Sequence, residues 1–278
     1  MPARIRHLHI PPFSETLPSP IYFRTASMPA DAAYPQHRHA WGEFVYSFSG
    51  VMEVKLDHRH YLAPPQYGIW LPPHVEHMGL NRYEACHCSL YIAEELSGTL
   101  PRVACALTVS PLVRAMLDHL RQHPPQLPHT DQDQRLLQAL VDQLAAAACA
   151  GSYLPTSDDP LLGPVLRALQ ARPDDTRLLA ELAHAANTTE RTLMRRCRRD
   201  LGMSFAAWRQ RLRVVKAMPR LEAGHTVETI ALDLGYGSAS AFITMFRRLM
   251  GVTPDEFRKG SGNQSAMQAR TRHSNANG

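Results

Sequence analysis

The sequence predicts a two-domain protein, with an all-β N-terminal half and an all-α C-terminal half. Residues 20–100 contain short runs rich in Val, Tyr, Phe, Ile and Trp, separated by Gly, Pro and Asp-His turns. Such runs are typical of a small barrel or sandwich. From Ser110 onward, apolar residues recur at helical spacing. The length of 278 residues allows two domains that each bury a core.

Charge is distributed unevenly along the chain. Residues 1–160 carry a net charge of −4 and residues 161–259 carry +7. A basic half is typical of proteins that bind a polyanion such as nucleic acid, with chance variation as the alternative. No apolar run approaches the roughly 20 residues that span a bilayer, and the N-terminus lacks the apolar core of a signal peptide. We therefore expect a cytoplasmic protein without a membrane partner. The five cysteines show no disulfide-framework spacing.

Composition and periodicity predict five segments. Residues 1–105 form the β domain and residues 106–150 a helical dimerisation or connector region. The Gly-, Ser-, Pro- and Asp-rich stretch 151–160 is a linker, and residues 161–259 form the helical domain. The tail 260–278 has almost no large apolar residue and is predicted to be disordered.

Two amphipathic helices are expected in the connector region. Ser110 and Pro111 are a good N-cap and first-turn pair, and a second helix begins near Thr130. Its apolar stripe needs a partner surface, which is either the barrel or a second copy of the chain. In the second case a homodimer contact would use Leu137, Leu140 and Leu144.

Two stretches of the basic half share one layout: a short apolar helix, a tight polar turn and a longer helix. The first runs from Leu178 through Asn187-Thr188-Thr189 to Gly202, and the second from Val227 through Gly235-Tyr236-Gly237 to Gly251. This is the helix-turn-helix pattern, whose second helix can lie in the DNA major groove.

Periodicity separates the core face of each longer helix from its outer face. Leu193, Cys197 and Leu201 fall at i, i+4 and i+8 and are predicted to be buried. Arginine suits guanine edges and phosphates. The residues predicted to contact DNA are Arg191, Arg195, Arg198, Arg199, Ser240, Thr244, Arg247 and Arg248.

Residues 160–259 resemble the DNA-binding domain of the AraC/XylS family of bacterial transcription regulators. The matching stretches are "RRDLGMS", "ALDLGYGSASAFITMFRR" and "GVTPDEFR". The resemblance implies two recognition helices in successive major grooves, with Arg191 and Arg195, then Ser240 and Thr244, as the base-contacting residues. Pro219 departs from it, because a proline inside the expected joining helix predicts a kink or an early end.

A candidate metal-ligand cluster lies in the β half, where His37 and His39 point to one side of an extended strand. Glu43 would lie about 13 Å from His39 along an extended chain, whereas metal–ligand bonds are about 2 Å. A shared metal therefore requires a turn within Ala40-Trp41-Gly42. With His77 from another strand, the set suits one divalent ion, Zn, Ni, Fe, Mn or Co. The alternative is polar residues that bind each other or an organic effector.

The spacing His37-x-His39-x3-Glu43-x6-Gly50 resembles the first motif of the cupin superfamily, and Pro72, His77 and Asn81 resemble the second. Where this family usually has Gly, this chain has His74. The resemblance implies a double-stranded β-helix barrel.

Together these patterns predict a non-enzymatic, sequence-specific transcription regulator. Its cupin domain would sense a metal or small-molecule effector, and its helical domain, with two helix-turn-helix motifs, would bind double-stranded DNA. RNA polymerase and a second copy of the chain are further expected partners. The alternative is a cupin metalloenzyme, such as a dioxygenase or isomerase, with an appended helical domain, because a His/Glu site with an open position can also serve catalysis.

Overall fold

The computed structural model describes residues 7–13, 15–29, 31–48, 52–56, 59–81, 85–150 and 152–259. The chain divides between Pro155 and Thr156 into a β-rich N-terminal unit and a helical C-terminal unit. This arrangement confirms the predicted fold class in outline. The predicted disordered tail, residues 260–278, lies outside the described residues.

The described residues of the N-terminal unit form two sheets, two α-helices and a short 3-10 helix, Glu94–Leu96. Its strands are β1 His7–Leu8, β2 Ile21–Met28, β3 Ala32–His37, β4 Gly42–Ser47, β5 Met52–Leu56, β6 Arg59–Ala63, β7 Tyr67–Leu71, β8 His77–Asn81, β9 Ala85–Ile92, β10 Cys105–Thr108 and β11 Cys149–Ala150. One sheet has the order β1-β3-β8-β5-β6 and the other β11-β10-β7-β4-β9-β2. All neighbours pair antiparallel except β1 and β3.

Strand β4 shows how the sequence divides side chains between the two faces of the six-stranded sheet. Phe44 and Tyr46 join the core beneath the helices, whereas Val45 joins a second apolar cluster with residues of both sheets. Because successive strand residues face opposite ways, Glu43 shares the side of Val45. The alternation therefore turns an acidic side chain towards the space lined by both sheets.

Helices α1 Pro111–Gln122 and α2 Asp131–Ala145 begin as the sequence predicts. Ser110 caps α1 by accepting a hydrogen bond from the amide of Val113, and Thr130 forms a capping box with Asp133 at the start of α2. Both helices pack their apolar stripes on the six-stranded sheet.

The prediction that the apolar stripe of α2 forms a dimer contact is wrong. Leu137, Leu140 and Leu144 are at most 1% exposed and lie in the core formed with the sheet of their own chain. They cannot form a surface for a second copy, because burying them within the unit already satisfies the apolar face of α2. Homodimerisation itself stays a prediction.

The segment predicted as a linker is anchored on both sides of the Pro155–Thr156 boundary. Tyr153 and Leu154 are buried in the N-terminal unit, where the Tyr153 amide donates to the Leu62 carbonyl at 3.2 Å. Two residues beyond the boundary, Ser157 bonds to Asp200 of the C-terminal unit. Both ends of the connection are therefore fixed, each within its own unit.

The described part of the C-terminal unit consists of short helices around one long one. They are α3 Leu162–Ala171, α4 Leu179–Ala185, α5 Glu190–Arg196, α6 Phe205–Glu222, α7 Val227–Asp233 and α8 Ala239–Met250, with one π-helical turn, Cys197–Leu201, directly after α5. The predicted core residues Leu193, Cys197 and Leu201 are buried. Gly202 and Gly251 end the two longer helices in the left-handed conformation that glycine favours.

Helix α6 continues through Pro219, so the alternative of an early end at this residue is wrong. Pro219 lies three residues before the last helical residue, Glu222. The helix loses the bond that a residue-219 amide would give to the Val215 carbonyl. Burial of Met218, Pro219 and Leu221 stabilises this last turn. Within the described part of the chain, no helix is both long enough and apolar enough to cross a membrane.

We predict that Gly42→Ala destabilises the N-terminal unit by about 1–3 kcal/mol, because a buried site without room for a methyl group must shift its neighbours. A Cβ at Gly42 would lie 2.1 Å from the ring of Trp70, which is fully buried, whereas one at Gly98 would meet nothing within 4 Å. Urea unfolding of the full chain with Gly98→Ala as the control measures the difference. Equal midpoints for the two variants would show that the Trp70 contact is not limiting.

Candidate metal centre and nucleic-acid interface

Three of the predicted metal ligands meet at one point of the N-terminal unit. His37 ends β3 and is the cross-strand partner of His77, which begins β8. His39 follows two residues after His37. One ring nitrogen from each of the three lies within 4.8 Å of the others. Strand pairing thus brings together residues that are 40 positions apart in the sequence.

Each imidazole is oriented by a backbone carbonyl. Nδ1 of His37, His39 and His77 lies 2.7, 2.8 and 2.9 Å from the carbonyl oxygens of Pro35, Trp41 and Val75. A carbonyl only accepts, so Nδ1 must carry the proton in all three rings. In the neutral rings, Nε2 therefore keeps its lone pair. Hydrogen bonds of this kind orient metal-ligating histidines in general.

Glu43 completes the cluster. Its Oε2 lies 3.3 Å from Nε2 of His39 and 3.4 Å from Nε2 of His77. The chain bends at Ala40 and Trp41, as the sequence required of a shared site. Gly42, however, does not provide a left-handed turn. It begins β4, and its missing side chain leaves space for the ring of Trp70.

Burial and charge compete within the cluster. Burial alone would raise the pKa of Glu43, but the hydrogen bonds that His39 and His77 donate when a proton occupies Nε2 hold that pKa well below its usual range. Burial lowers the pKa of His77, and its hydrogen bond with Glu43 outweighs this, so the pKa is raised. The pKa of His37 is lowered by burial and by the nearby His77. The carboxylate is thus ionised and needs a proton or a cation beside it.

His74 lies outside the cluster. Its side chain is 59% exposed and pairs with Glu94 at 3.3 Å. Its backbone adopts φ 63°, a left-handed conformation that favours glycine, and its amide donates to the carbonyl of His39 at 2.8 Å. Position 74, where the cupin superfamily usually has glycine, therefore adopts a backbone conformation that favours glycine.

A small cavity adjoins the cluster. It offers about 40 Å³ to the centres of water molecules, and His37, Glu43 and His77 are part of its lining. At about 10–15 Å³ per water centre, this is room for about three waters.

His87, which is not among the predicted ligands, also lines this cavity. It is buried, and its Nδ1 has no hydrogen-bond partner among the described residues. Burial lowers its pKa to about 4, so the ring is neutral at pH 7. Strand alternation was the available signal, because His87 must face opposite to its neighbours Cys86 and Cys88.

The C-terminal unit places two pairs of helices as the sequence predicts, α4 with α5 and α7 with α8. Thr189 caps α5 and Ser238 caps α8, each by accepting from the amide three residues on. The first turn includes Asn187 at φ 50° and the second Gly235 at φ 75°. Four residues join the first pair and five join the second, and these short connections resemble those of helix-turn-helix units.

All eight residues predicted to contact DNA are exposed, but they differ in their partners. Those of the first pair are Arg191, Arg195, Arg198 and Arg199, and those of the second are Ser240, Thr244, Arg247 and Arg248. Arg199 is already bound, by Asp159 at 3.0 Å and by Asp200. Arg248 donates to Gln210, and the Thr244 hydroxyl donates to the Ser240 carbonyl at 2.9 Å. Arg191, Arg195 and Arg198 form no ion pair with any described residue.

The loop before α4, which contains Asp175 and Arg177, contacts α6, the helix between the two helix pairs. The Asp175 carboxylate accepts from Arg177, with Oδ2 2.6 Å from Nη2. Arg209 of α6 donates to the carbonyl oxygens of both residues of this pair. Local sequence patterns do not predict this loop, because its partners are more than 30 positions away.

The same loop also contacts the turn of the second pair. A Cβ at Gly235 would lie 2.5 Å from the carbonyl oxygen of Asp174. Arg213 of α6 lies over the ring of Tyr236, 4.8 Å from its centre, and donates to the Pro173 carbonyl at 3.4 Å. These contacts fix the second turn against α6.

We predict that Asp175→Asn destabilises the C-terminal unit at pH 7 by about 1–2 kcal/mol. This value is smaller than the pKa shift alone implies, because solvent screens the partly exposed Arg177. Hydrogen bonding by Arg177 lowers the pKa of Asp175 to about 2, below the unfolded value of about 3.9. The stabilisation is therefore present above pH 4 and is lost as the pH falls through 2.

Urea unfolding followed by circular dichroism measures this difference between pH 5 and pH 2. The control is Asp174→Asn, which removes the same charge from the exposed neighbouring side chain. A difference between Asp175→Asn and wild type that stays constant over this pH range would contradict the assignment.

Comparisons with known proteins agree with this architecture. A family model described as an AraC-like ligand binding domain matches residues 20–154, and a helix-turn-helix domain model matches residues 182–260. The HTH-type transcriptional regulator NimR of Escherichia coli is 32% identical over 223 residues, which cover 80% of this chain and 81% of NimR. A putative AraC-like transcription regulator of Streptomyces lividans is 30% identical over 159 residues, 56% of this chain and 46% of that protein.

Among solved structures, that of ToxT from Vibrio cholerae covers 87% of this chain and 99% of its own, with 12% identity and a TM-score of 0.38. The two family matches and the similarity to NimR over four fifths of both chains establish the identity of the family. The chain belongs to the AraC family of DNA-binding transcriptional regulators, with an N-terminal ligand-binding domain and a C-terminal helix-turn-helix domain.

Proposed function

We propose that this regulator senses a divalent metal ion, or a small molecule docked on that ion, in a cupin-type barrel formed by the two sheets. His37, His39, His77 and Glu43 hold the metal. The observation that carries the proposal is the arrangement of the imidazoles: each Nδ1 is bound to a carbonyl, which leaves Nε2 as the free nitrogen, and a ring nitrogen of each lies within 4.8 Å of the others.

Two donor distances at Glu43 support a metal at this point. Around an ion with bonds of about 2.0–2.1 Å, tetrahedral donors lie about 3.3 Å apart. Oε2 of Glu43 lies 3.3 and 3.4 Å from the two nearest Nε2 atoms. If the two rings are neutral, no proton lies on these lines, and the lone pairs repel the carboxylate. A cation bound between them removes this repulsion.

The donor set fits zinc, nickel, iron, manganese or cobalt and does not select among them. A bound ion would supply a positive charge that holds an anionic or polar ligand. The adjoining cavity has room for about three waters. His87, with its unpaired Nδ1, is placed to bind such a ligand.

The helical unit contacts DNA in this proposal through two helix-turn-helix motifs. Arg191 and Arg195 of α5, then Ser240 and Thr244 of α8, contact base edges. Arg198 and Arg247, which are also exposed, neutralise phosphates. The relatives' regulatory role favours sensing over catalysis for the histidine cluster, in preference to the metalloenzyme alternative. RNA polymerase and a second copy of the chain remain proposed partners.

We predict that the purified full chain binds one divalent ion, and that a chelator lowers the melting temperature of the N-terminal unit but not that of the C-terminal unit, by mass action. The ion competes with protons for the imidazoles, whose usual pKa is about 6.5, so affinity should rise from pH 5.5 to pH 7.5. Metal content by mass spectrometry and affinity by chelator competition measure this.

Glu43→Gln keeps the size of the side chain and removes its charge, and we expect at least tenfold weaker metal binding. His77→Asn should abolish binding, whereas His74→Asn, outside the cluster, should leave it unchanged. If none of the five metals binds or shifts the melting temperature, an organic effector takes the place of the metal.

We predict that Arg195→Ala costs about 1–3 kcal/mol of affinity for the operator and relaxes the preference at one base pair. Arg247→Ala should weaken all sequences equally and reduce the salt dependence. A binding-site selection with each variant distinguishes the two. Identical preference profiles for wild type and Arg195→Ala would exclude Arg195 as a base-contacting residue.

A further inference from the structure

The chain that enters the C-terminal unit is bound to it before the first helix starts. The Asp159 carboxylate oxygen Oδ1 accepts from the amides of Leu161 and Leu162, at 2.9 and 3.0 Å. These are amides that the start of α3 leaves without a helical partner. Asp159 thereby fixes the entry of the chain into α3.

The same carboxylate binds the far end of α5. Arg196, the last residue of that helix, donates from Nη1 to both carboxylate oxygens of Asp159, and Arg199 donates from Nη2 to Oδ2 at 3.0 Å. The side chain of Asp159 is 7% exposed and that of Arg196 is 22% exposed. A charge pair this buried is costly to break, because either partner alone would be left without compensation.

A second contact holds the π-helical turn that follows α5. The hydroxyl of Ser157 donates to Oδ2 of Asp200 at 2.6 Å, and its oxygen accepts from the Asp159 amide at 3.1 Å. A π-helical turn is less regular than an α-helical one and is frequent at functional sites. Here two side chains of the entering segment, Ser157 and Asp159, hold it against the start of α3.

We propose that Asp159 is a positioning residue for DNA recognition, which sets the orientation of α5 through Arg196 and Arg199. Helix α5 has seven residues, and the adjacent Arg195 is exposed on it. Rotation of so short a helix moves its guanidinium groups relative to the base edges, where hydrogen bonds tolerate only small displacements. The proposal rests on the assignment of Arg191 and Arg195 as base-contacting residues.

The test uses the full chain and Asp159→Asn, which keeps an oxygen for the α3 amides and removes the charge. A DNA site is first selected from random duplexes by the wild-type protein. Affinities for this site, for a scrambled duplex and for every single base-pair change are then measured at one salt concentration. The matched control is Asp158→Asn, which removes the same charge from an exposed neighbour.

We expect Asp159→Asn to lower the ratio of specific to scrambled affinity at least tenfold. The lost preference should fall on the base pairs that Arg191→Ala and Arg195→Ala also relax, and not on those that Ser240→Ala and Thr244→Ala relax. Asp158→Asn should leave the ratio unchanged. A variant that is merely less stable would lose affinity evenly at all base pairs.

Arg196→Lys changes the other partner of the same ion pair. Lysine keeps the positive charge but lacks the planar guanidinium group that binds both carboxylate oxygens. It should reproduce the same positional loss, and it serves as the test if Asp159→Asn fails to fold by circular dichroism. An unchanged profile or an even loss in the folded variant overturns the proposal. If wild type selects no site, the proposed DNA contacts fail, and this inference fails with them.

Discussion

A buried carboxylate needs a cation or donated hydrogen bonds, and this need organises both units of the protein. Glu43 is 6% exposed, and His39 and His77 beside it lower the pKa that burial alone would raise. To bring them there, the chain must bend before β4, pair β3 with β8, and hold three rings by backbone carbonyls. Gly42 contributes by leaving room for Trp70 beside the carboxylate's own strand. The candidate metal centre is therefore the local solution to burying one negative charge.

In the C-terminal unit, two further carboxylates join segments that are far apart in the sequence. Asp159 binds arginines 37 and 40 positions later, and the loop of Asp175 binds Arg209 of α6. The first contact orients α5 and the second fixes α6 beside the turn before α8. Small helices bury little apolar surface each, so their relative orientation depends more on such directional contacts than it would in a large core. Between them, the two carboxylates determine how the longer helices of both pairs are presented.

Local sequence patterns predicted the helices and their buried faces. The features that these patterns did not predict depend on contacts between residues far apart in the chain. Caps at Ser110 and Thr130 and the spacing of Leu193, Cys197 and Leu201 fixed the starts and faces of helices, because those signals lie within a few residues. The spacing of His37, His39 and Glu43 predicted the cluster together with the bend it needs. By contrast, whether the stripe of Leu137 faced its own sheet or a second copy depended on packing that periodicity cannot show. Asp159, Asp175 and His87 were missed because their roles depend on partners distant in the chain or on an enclosed cavity.

Asp159 and Asp175 reduce the number of arginines in the helical unit that are free to bind DNA. A net charge of +7 on residues 161–259 suggests a broadly basic surface, yet several of its arginines are committed within the fold. Arg177, Arg196, Arg199 and Arg209 contact Asp159 or Asp175. An arginine that neutralises a buried carboxylate has little charge left to displace counterions from phosphate. The arginines of α5 that form no ion pair with described residues, Arg191 and Arg195, are those at the positions expected to contact bases. Internal pairing therefore concentrates the unbalanced positive charge of α5 on the face where sequence recognition is proposed.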